Sequence, residues 1–599
     1  MKRSLASRCD IPRRYTWNSR ALFASPRAWE RELSGILASI PGLASIKGTL
    51  SRGPSGLAGG LEQAESLSAR MLRVMVYAGF SHAVDTTNAK ASAMNDRAQG
   101  AFGRVSAAVA FVDPEIIAIG QSTLDAWMAG DARLARYRHY IENLFRRQGH
   151  VRSAEVEELM GMLADPFSGP STISSMLVNA DFAFPPAKSR TGAASVVSQG
   201  TIGALLESPE RSTRKSAWNA YMRVHADHKS TLAATLGASI RQNVFKSRAR
   251  RFGSTLEAAL FADAVPVEVF HNALAVFRRR LPVWHRYFDV RRRALRLRRL
   301  GHCDMWAPLG ARSVTVSYER AVDMICEGLA PMGREYVAAV RDGCLRDRWV
   351  DVLPNRGKRE GAFSWGSFGT LPYIMMSFTG DITSVSTLAH ELGHSMHSLL
   401  TWKTQPYVYA GYSTFIAEVA SNVHQALVRA SLLGQKSRKD LRLAVIEEAV
   451  ANFFRYLFLM PTLARFELET HERVERGEAL TADLMQDLMT GLLEEAYGSA
   501  VAVSREREGM LWASFPHLFE DYYVFQYETG ISGAHAIAAR ILEGRHGAVD
   551  GYRRFLSLGS SEYPVDALKI AGVDLAQPQP VEKAFTVLDG YVSQLESLL

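Results

Sequence analysis

Cysteine is scarce: the 599 residues hold 4, at Cys9, Cys303, Cys326 and Cys344, far apart and with no C-x-x-C spacing. That excludes a disulfide framework and a zinc ribbon, and it suits a reducing compartment. No apolar run reaches the roughly 18 residues that a membrane span needs, so no membrane partner is expected. The basic start "MKRSLASRCDIPRRYTW" has no apolar core segment and does not read as a secretory signal. Low-complexity tracts and obvious short repeats are missing, and strand-like alternation is rare. These absences leave a cytoplasmic, globular, helix-rich protein as the expectation.

What is present supports that. Apolar residues make up 47% of the chain, enough for a large core or more than one domain. "RAWERELSGILASI", "DLRLAVIEEAVANFFRYLFL" and "LTADLMQDLMTGLLEEAYG" space apolar residues three and four apart, which predicts helices. The best strand candidate is "GAFSWGSFGTLPYIMMSFTG", residues 361–380, rich in aromatic residues, Gly and Ser; one small sheet is expected there. "FPPAKSRTGAASVVSQGT", residues 184–201, is the clearest break in the helical pattern. It predicts a helical N-terminal domain, residues 1–190, followed by a second helical domain, residues 191–599.

The net charge is +9, and much of it lies in "FRRRLPVWHRYFDVRRRALRLRRLGH", residues 277–302. One reading is a nucleic-acid stripe. The other is a long helix whose arginines extend over an apolar stripe of Leu281, Trp284, Tyr287, Phe288 and Leu295. No recognised nucleic-acid module accompanies the run, so the helix is preferred and no nucleic-acid partner is expected.

The segment "TLAHELGHSMHSLL", Thr387 to Leu400, carries chemistry. On a helix, His390 and His394 stand at i and i+4, and both imidazoles leave one face about a turn apart. That spacing suits one zinc ion. Glu391 sits one residue round, where it can border an open coordination position as a general base without being a ligand. Gly393 leaves room for another backbone to approach. A metzincin needs Gly at 397 and His at 400, whereas this chain has His397 and Leu400. His397 is the lesser alternative as third ligand. Between His394 and Glu418 there is no Asp or Glu, so Glu418 is the first carboxylate within reach. It lies in a helical stretch with a Ser413/Thr414 cap candidate, and an antiparallel return would bring it to the two histidines. His390, His394 and Glu418 would leave a fourth position open, as in catalytic His₂Glu zinc sites.

From here the chain resembles the oligoendopeptidase F branch of the thimet oligopeptidase family of zinc metallopeptidases. The resemblance runs through "DRWVDVLPNRGKREGAFSWGSFGTLPYIMMSFTGD", "TLAHELGHSMHS", "PYVYAGYSTFIAEVAS" and "FPHLFEDYYVFQYETG", with weaker echoes over most of the chain. It implies an all-α, clam-like metallopeptidase with a deep central channel, a small β-sheet near the active site and one Zn2+ ion. The implied activity is cleavage of short unstructured oligopeptides, with residues 191–599 as the catalytic domain. The implied zinc ligands are His390, His394 and Glu418, with Glu391 as general base on zinc-bound water. His517 and Tyr527 correspond best to the family's C-terminal His and Tyr, which would stabilise the oxyanion. Tyr373, Ser377 and Tyr523 are the expected substrate-binding residues, and "GTLPYIMMSF" is the strand that would offer an edge to the peptide.

Three positions depart from the family pattern. Phe525 stands where many relatives have Tyr, Ser377 replaces a usual Asn, and His424-Gln425 replaces a frequent Asn-Glu. Gln425, i+7 from Glu418, can still serve as a neutral partner behind a ligand. The departures leave rate and substrate preference open. Two rivals stand beside the peptidase: a catalytically silent helical scaffold with a structural zinc, which would have no need of Glu391, and a basic nucleic-acid-binding protein.

Overall fold

Helical spacing becomes helix nearly throughout: 71% of the chain is helical and the sheets are small. The computed structural model describes residues 5–310, 314–434 and 438–599. The first four residues of the basic N-terminal stretch therefore lie outside the described residues. The chain folds into two compact units, each built from three segments. Met1–Gly149, Thr315–Gln435 and Ile537–Gly572 form the first, and His150–Val314, Lys436–Ala536 and Val573–Leu599 the second. This spatial grouping and a chain-order division at residue 190 are different partitions, since residues 150–190 belong to the second unit.

In the first unit, the helices Pro26–Ala44 and Pro54–Ala83 turn Trp29, Leu33, Met71, Val74 and Phe80 into one core. Three short strands pack on it: β1 (Val350–Asp351), β2 (Phe363–Trp365) and β3 (Tyr373–Met375). Their order is β1-β3-β2, with β1 parallel and β2 antiparallel to β3. Gly79 lets the sheet come close, because a Cβ there would stand 2.6 Å from the Trp365 ring. The sheet lies where residues 361–380 predict it, but its edge does not. Tyr373–Met375 is the central strand, paired on both sides, so it has no free edge to offer a peptide. Tyr373 also differs from its expected role at the substrate. Its side chain is fully buried, with its ring 5.1 Å from Trp17 and 5.9 Å from Phe80. Ser377, just past the strand, is exposed.

Two helices follow. α1 (Ile382–Thr404) is capped by Asp381, whose Oδ1 accepts from the Ser384 N–H at 2.7 Å. α2 (Thr414–Gly434) opens at Ser413, whose Oγ accepts from the Phe415 N–H at 3.1 Å. Residues 537–572 back this pair: Thr401 Oγ1 donates to the Leu556 carbonyl at 3.0 Å.

In the second unit, the basic segment is the helix Val267–Ala294. Leu281, Trp284, Tyr287 and Phe288 are buried among Phe454, Phe458 and Tyr497. The outward arginines pair with acidic residues of the helix Gln579–Leu598: Arg286 meets Asp589 at 3.0 Å and Glu596 at 2.9 Å, and Arg293 meets Glu596 at 2.5 Å. Much of the positive charge is thus matched within the fold. The break at 184–201 contains an antiparallel pair, Ala187–Lys188 with Ala194–Ser195, and Leu300–Gly301 pairs with Val501–Ala502. The described residues therefore hold two small sheets beyond the one expected. Among them, no helix is long and apolar enough to cross a membrane.

Candidate functional site

α1 and α2 set His390, His394 and Glu418 side by side. The two Nε2 atoms are 3.3 Å apart, and Glu418 Oε2 lies 3.3 Å from His390 Nε2 and 3.8 Å from His394 Nε2. Each residue offers one possible ligand atom, and the three atoms all lie within 4.8 Å of one another. The close crossing depends on Gly393, where a Cβ would stand 2.5 Å from the Ala420 carbonyl oxygen and 2.6 Å from the Ser421 α-carbon. No side chain fits between the two backbones there.

The proton arrangement fits a cation. His390 Nδ1 is 3.1 Å from Gln425 Oε1, an acceptor, so Nδ1 carries the proton and Nε2 presents a lone pair. Gln425 is itself fixed, because its Nε2 donates to Ser386 Oγ at 2.8 Å, which Arg429 approaches at 3.3 Å. His394 makes a hydrogen bond to the Ala417 backbone, which orients its ring in the same sense. Burial pushes His394 down to about 4, against the pull of the Glu418 carboxylate, and so keeps it neutral. Two lone pairs and a carboxylate oxygen pointing at one another repel unless a positive charge sits among them. Two neutral imidazoles and a carboxylate are the donor set of a catalytic zinc site.

Glu391 is 5% exposed and lies next to this cluster without belonging to it. Burial pushes its carboxyl up to about 7; His390 lowers it, Glu418 raises it, and a backbone hydrogen bond at Ser364 on β2 lowers it. Ser364 Oγ is also 2.8 Å from Ser395 Oγ, one turn beyond Glu391, so strand and helix are pinned together at the acid. His397 is not in the cluster. It is fully buried and stacked on Tyr412, with ring centroids 3.7 Å apart, and burial pushes it down to about 3.

His517, Tyr523 and Tyr527 belong to the second unit and are brought together there. The Tyr523 and Tyr527 hydroxyls are 2.9 Å apart. The His517 ring lies parallel to Tyr523 at 6.0 Å and edge-on to Tyr527 at 6.1 Å. Burial lowers the His517 pKa, and the Arg455 charge adds to that. Tyr456 stacks on Tyr527 at 5.1 Å. Phe525 is fully buried against Phe270, so the missing hydroxyl falls in the core.

Sequence reasoning missed Ser386, Ser364 and Ser395. Ser386 had a signal, since it precedes His390 by one helical turn; Ser364 had none, because its contact with Glu391 depends on how a two- or three-residue strand meets a helix.

Comparison with known proteins shows the family. The model of peptidase family M3 matches residues 204–587, and that of oligopeptidase F matches residues 115–184. Oligopeptidase PepF of Bacillus subtilis is 35% identical over 596 residues, covering 99% of this chain and 89% of its own. The solved structure of oligoendopeptidase-F from Enterococcus faecium superposes with a TM-score of 0.73 at 29% identity, covering 96% of this chain and 99% of its own. A solved Chlamydophila abortus protein assigned as a peptidase gives 0.90 at 28% identity over 100% of both chains. On the family match and the near full-length similarity to an oligopeptidase, the chain belongs to peptidase family M3.

Proposed function

We propose that this chain is a zinc metalloendopeptidase of the cytoplasm that hydrolyses short unstructured oligopeptides. One observation carries the reading: the acceptor atoms of His390, His394 and Glu418 converge within 4.8 Å, with the buried acid Glu391 beside them. When bound there, a zinc ion would polarise the scissile carbonyl and acidify the attacking water. Membership of family M3 supports zinc, relatives named oligopeptidase support the substrate class, and four free cysteines suit a reducing setting.

The remaining chemistry belongs to the side chains. Gln425 and the Ala417 backbone hold the two imidazoles so that their Nε2 lone pairs face inward. Ser421 Oγ donates to Glu418 Oε2 at 2.9 Å and fixes that carboxylate. Glu391, held at Ser364, takes a proton from water as its oxygen attacks the carbonyl carbon. It then passes the proton to the leaving nitrogen, so that water is consumed and an acid and an amine are released. His517 and Tyr527, assigned from the sequence motif, donate hydrogen bonds to the negative oxygen of the tetrahedral intermediate. Ser377 and Tyr523 are carried as substrate contacts on the same basis.

Digestion of a mixed library of ten-residue peptides, read by mass spectrometry, tests the proposal. Cleavage should stop with a zinc chelator and return with added zinc. Cleavage indifferent to chelation, or no cleavage by zinc-loaded protein, would refute it.

A further inference from the structure

Tyr522 has φ +49°, the left-handed region, and among the described residues it is the only aromatic one with a positive φ. A bulky side chain adopts that conformation only where its surroundings hold it. It lies within the segment that carries His517, Tyr523 and Tyr527, and it is 1% exposed.

What holds it is a buried polar network in the second unit. The Tyr522 N–H donates to Glu467 Oε1 at 2.7 Å. Glu467 is 1% exposed, and its other carboxyl oxygen has no hydrogen-bond partner. Burial raises the Glu467 pKa, and the hydrogen bond from the Tyr522 N–H opposes that shift. On one side, Asn243 donates to Asp521 Oδ1 and lies 3.4 Å from His471 Nε2, while His471 Nδ1 donates to the Glu467 carbonyl at 2.9 Å. On the other, the Thr255 hydroxyl donates to Glu475 Oε1 at 2.6 Å, so the Tyr522 hydroxyl, 3.0 Å away, donates to Thr255. Two successive residues of the tyrosine segment, Asp521 and Tyr522, are thus tied at three points to helices remote in sequence.

We propose that Glu467 is a positioning residue for peptide hydrolysis: through the Tyr522 N–H it holds the left-handed turn that sets the side chains of Tyr523 and Tyr527. This rests on the reading of Tyr527 as an oxyanion donor. If the turn relaxes, the donor moves, and misplacement by about 1 Å is enough to cost up to roughly a hundredfold in rate. The zinc cluster, on other helices, should keep its metal.

The test compares kcat, KM and zinc content of the full-length zinc-loaded protein in five forms: parent, Glu467→Gln, Glu467→Leu, Tyr527→Phe, and Glu467→Leu with Tyr527→Phe. Glu467→Gln keeps the acceptor oxygen and should retain parental kcat. Glu467→Leu should lower kcat by roughly tenfold or more, with KM and zinc unchanged. In the Tyr527→Phe background the same change should add less than about twofold, because the donor it positions is gone. Equal losses in both backgrounds, equal losses for Gln and Leu, or no loss for Leu would overturn the positioning role. Parental kcat in Tyr527→Phe alone would instead overturn the oxyanion reading beneath it. Should Glu467→Leu fail to fold, Glu467→Met removes the same carboxyl acceptor with an unbranched, adaptable side chain. It should lower kcat with the same dependence on Tyr527, and parental kcat in that variant would overturn the proposal.

Discussion

Gly393 and Ala420 meet backbone to backbone: a Cβ on Gly393 would stand 2.5 Å from the Ala420 carbonyl oxygen. This contact sets how near Glu418, on α2, comes to His390 and His394, on α1. Gly393→Ala should force the helices apart, with a cost of about 1–3 kcal/mol as for overpacking elsewhere. It should also weaken zinc binding. Denaturant unfolding and zinc titration by chelator competition check both effects; unchanged zinc affinity would separate the crossing from the metal.

Gln425 holds the far nitrogen of His390 at 3.1 Å. Removing such a partner behind a ligand typically costs 10–100-fold in metal affinity. Gln425→Leu should fall in that range. Gln425→Glu should bind zinc more tightly, because a carboxylate makes the imidazole a stronger base. Both follow from the same chelator competition.

Glu528 is fully buried with neither carboxyl oxygen hydrogen-bonded, and burial pushes it from an ordinary 4.5 up to about 8. The folded chain therefore holds a proton that the unfolded chain releases above about pH 4.5. Stability from this group is full below that pH and is lost as pH rises towards 8. Glu528→Gln stays neutral at every pH. Its melting temperature should match the parent near pH 5 more closely than at pH 9, where the variant should be the more stable. A parent–variant difference that does not change with pH would count against the buried acid.

The proposed function sets a limit on substrate form. A ten-residue flexible peptide should be cleaved, whereas the same sequence in a rigid loop of a stable protein should survive, since the backbone must leave its fold to reach a catalytic site. Equal cleavage of the two would contradict the oligopeptide reading.

The histidine pair was legible because an i, i+4 relation is local and needs no tertiary knowledge. Glu418 follows from the lack of any carboxylate between His394 and Glu418, and Gln425 from the helical period of α2. Gly393 was read as a place for close approach, and the Ala420 contact bears that out. The arginine-rich helix was also legible, since Trp284 and Phe288 recur at helical spacing. Tyr373 was misread for a physical reason. A segment of aromatics, Gly and Ser looks like a strand open to a ligand, yet its partner β1 is two residues long and carries no alternation to announce it. Pairing on both sides, with Asp351 of β1 tied to Arg8 at 2.8 Å, is a matter of tertiary contact. The Glu467–Tyr522 bond was equally hidden: it joins residues 55 apart, and no Gly or Asn marks the left-handed turn.

In the proposed function, Glu391 moves a proton beside a zinc ion that it does not bind. Glu391→Gln tests this most directly, through zinc content and turnover of one flexible peptide measured on the same sample. Zinc should equal the parent's, and turnover should be lower by at least the roughly 10²–10⁴-fold assigned to general acid–base catalysis. Near-parental turnover, or loss of the zinc together with activity, would contradict it.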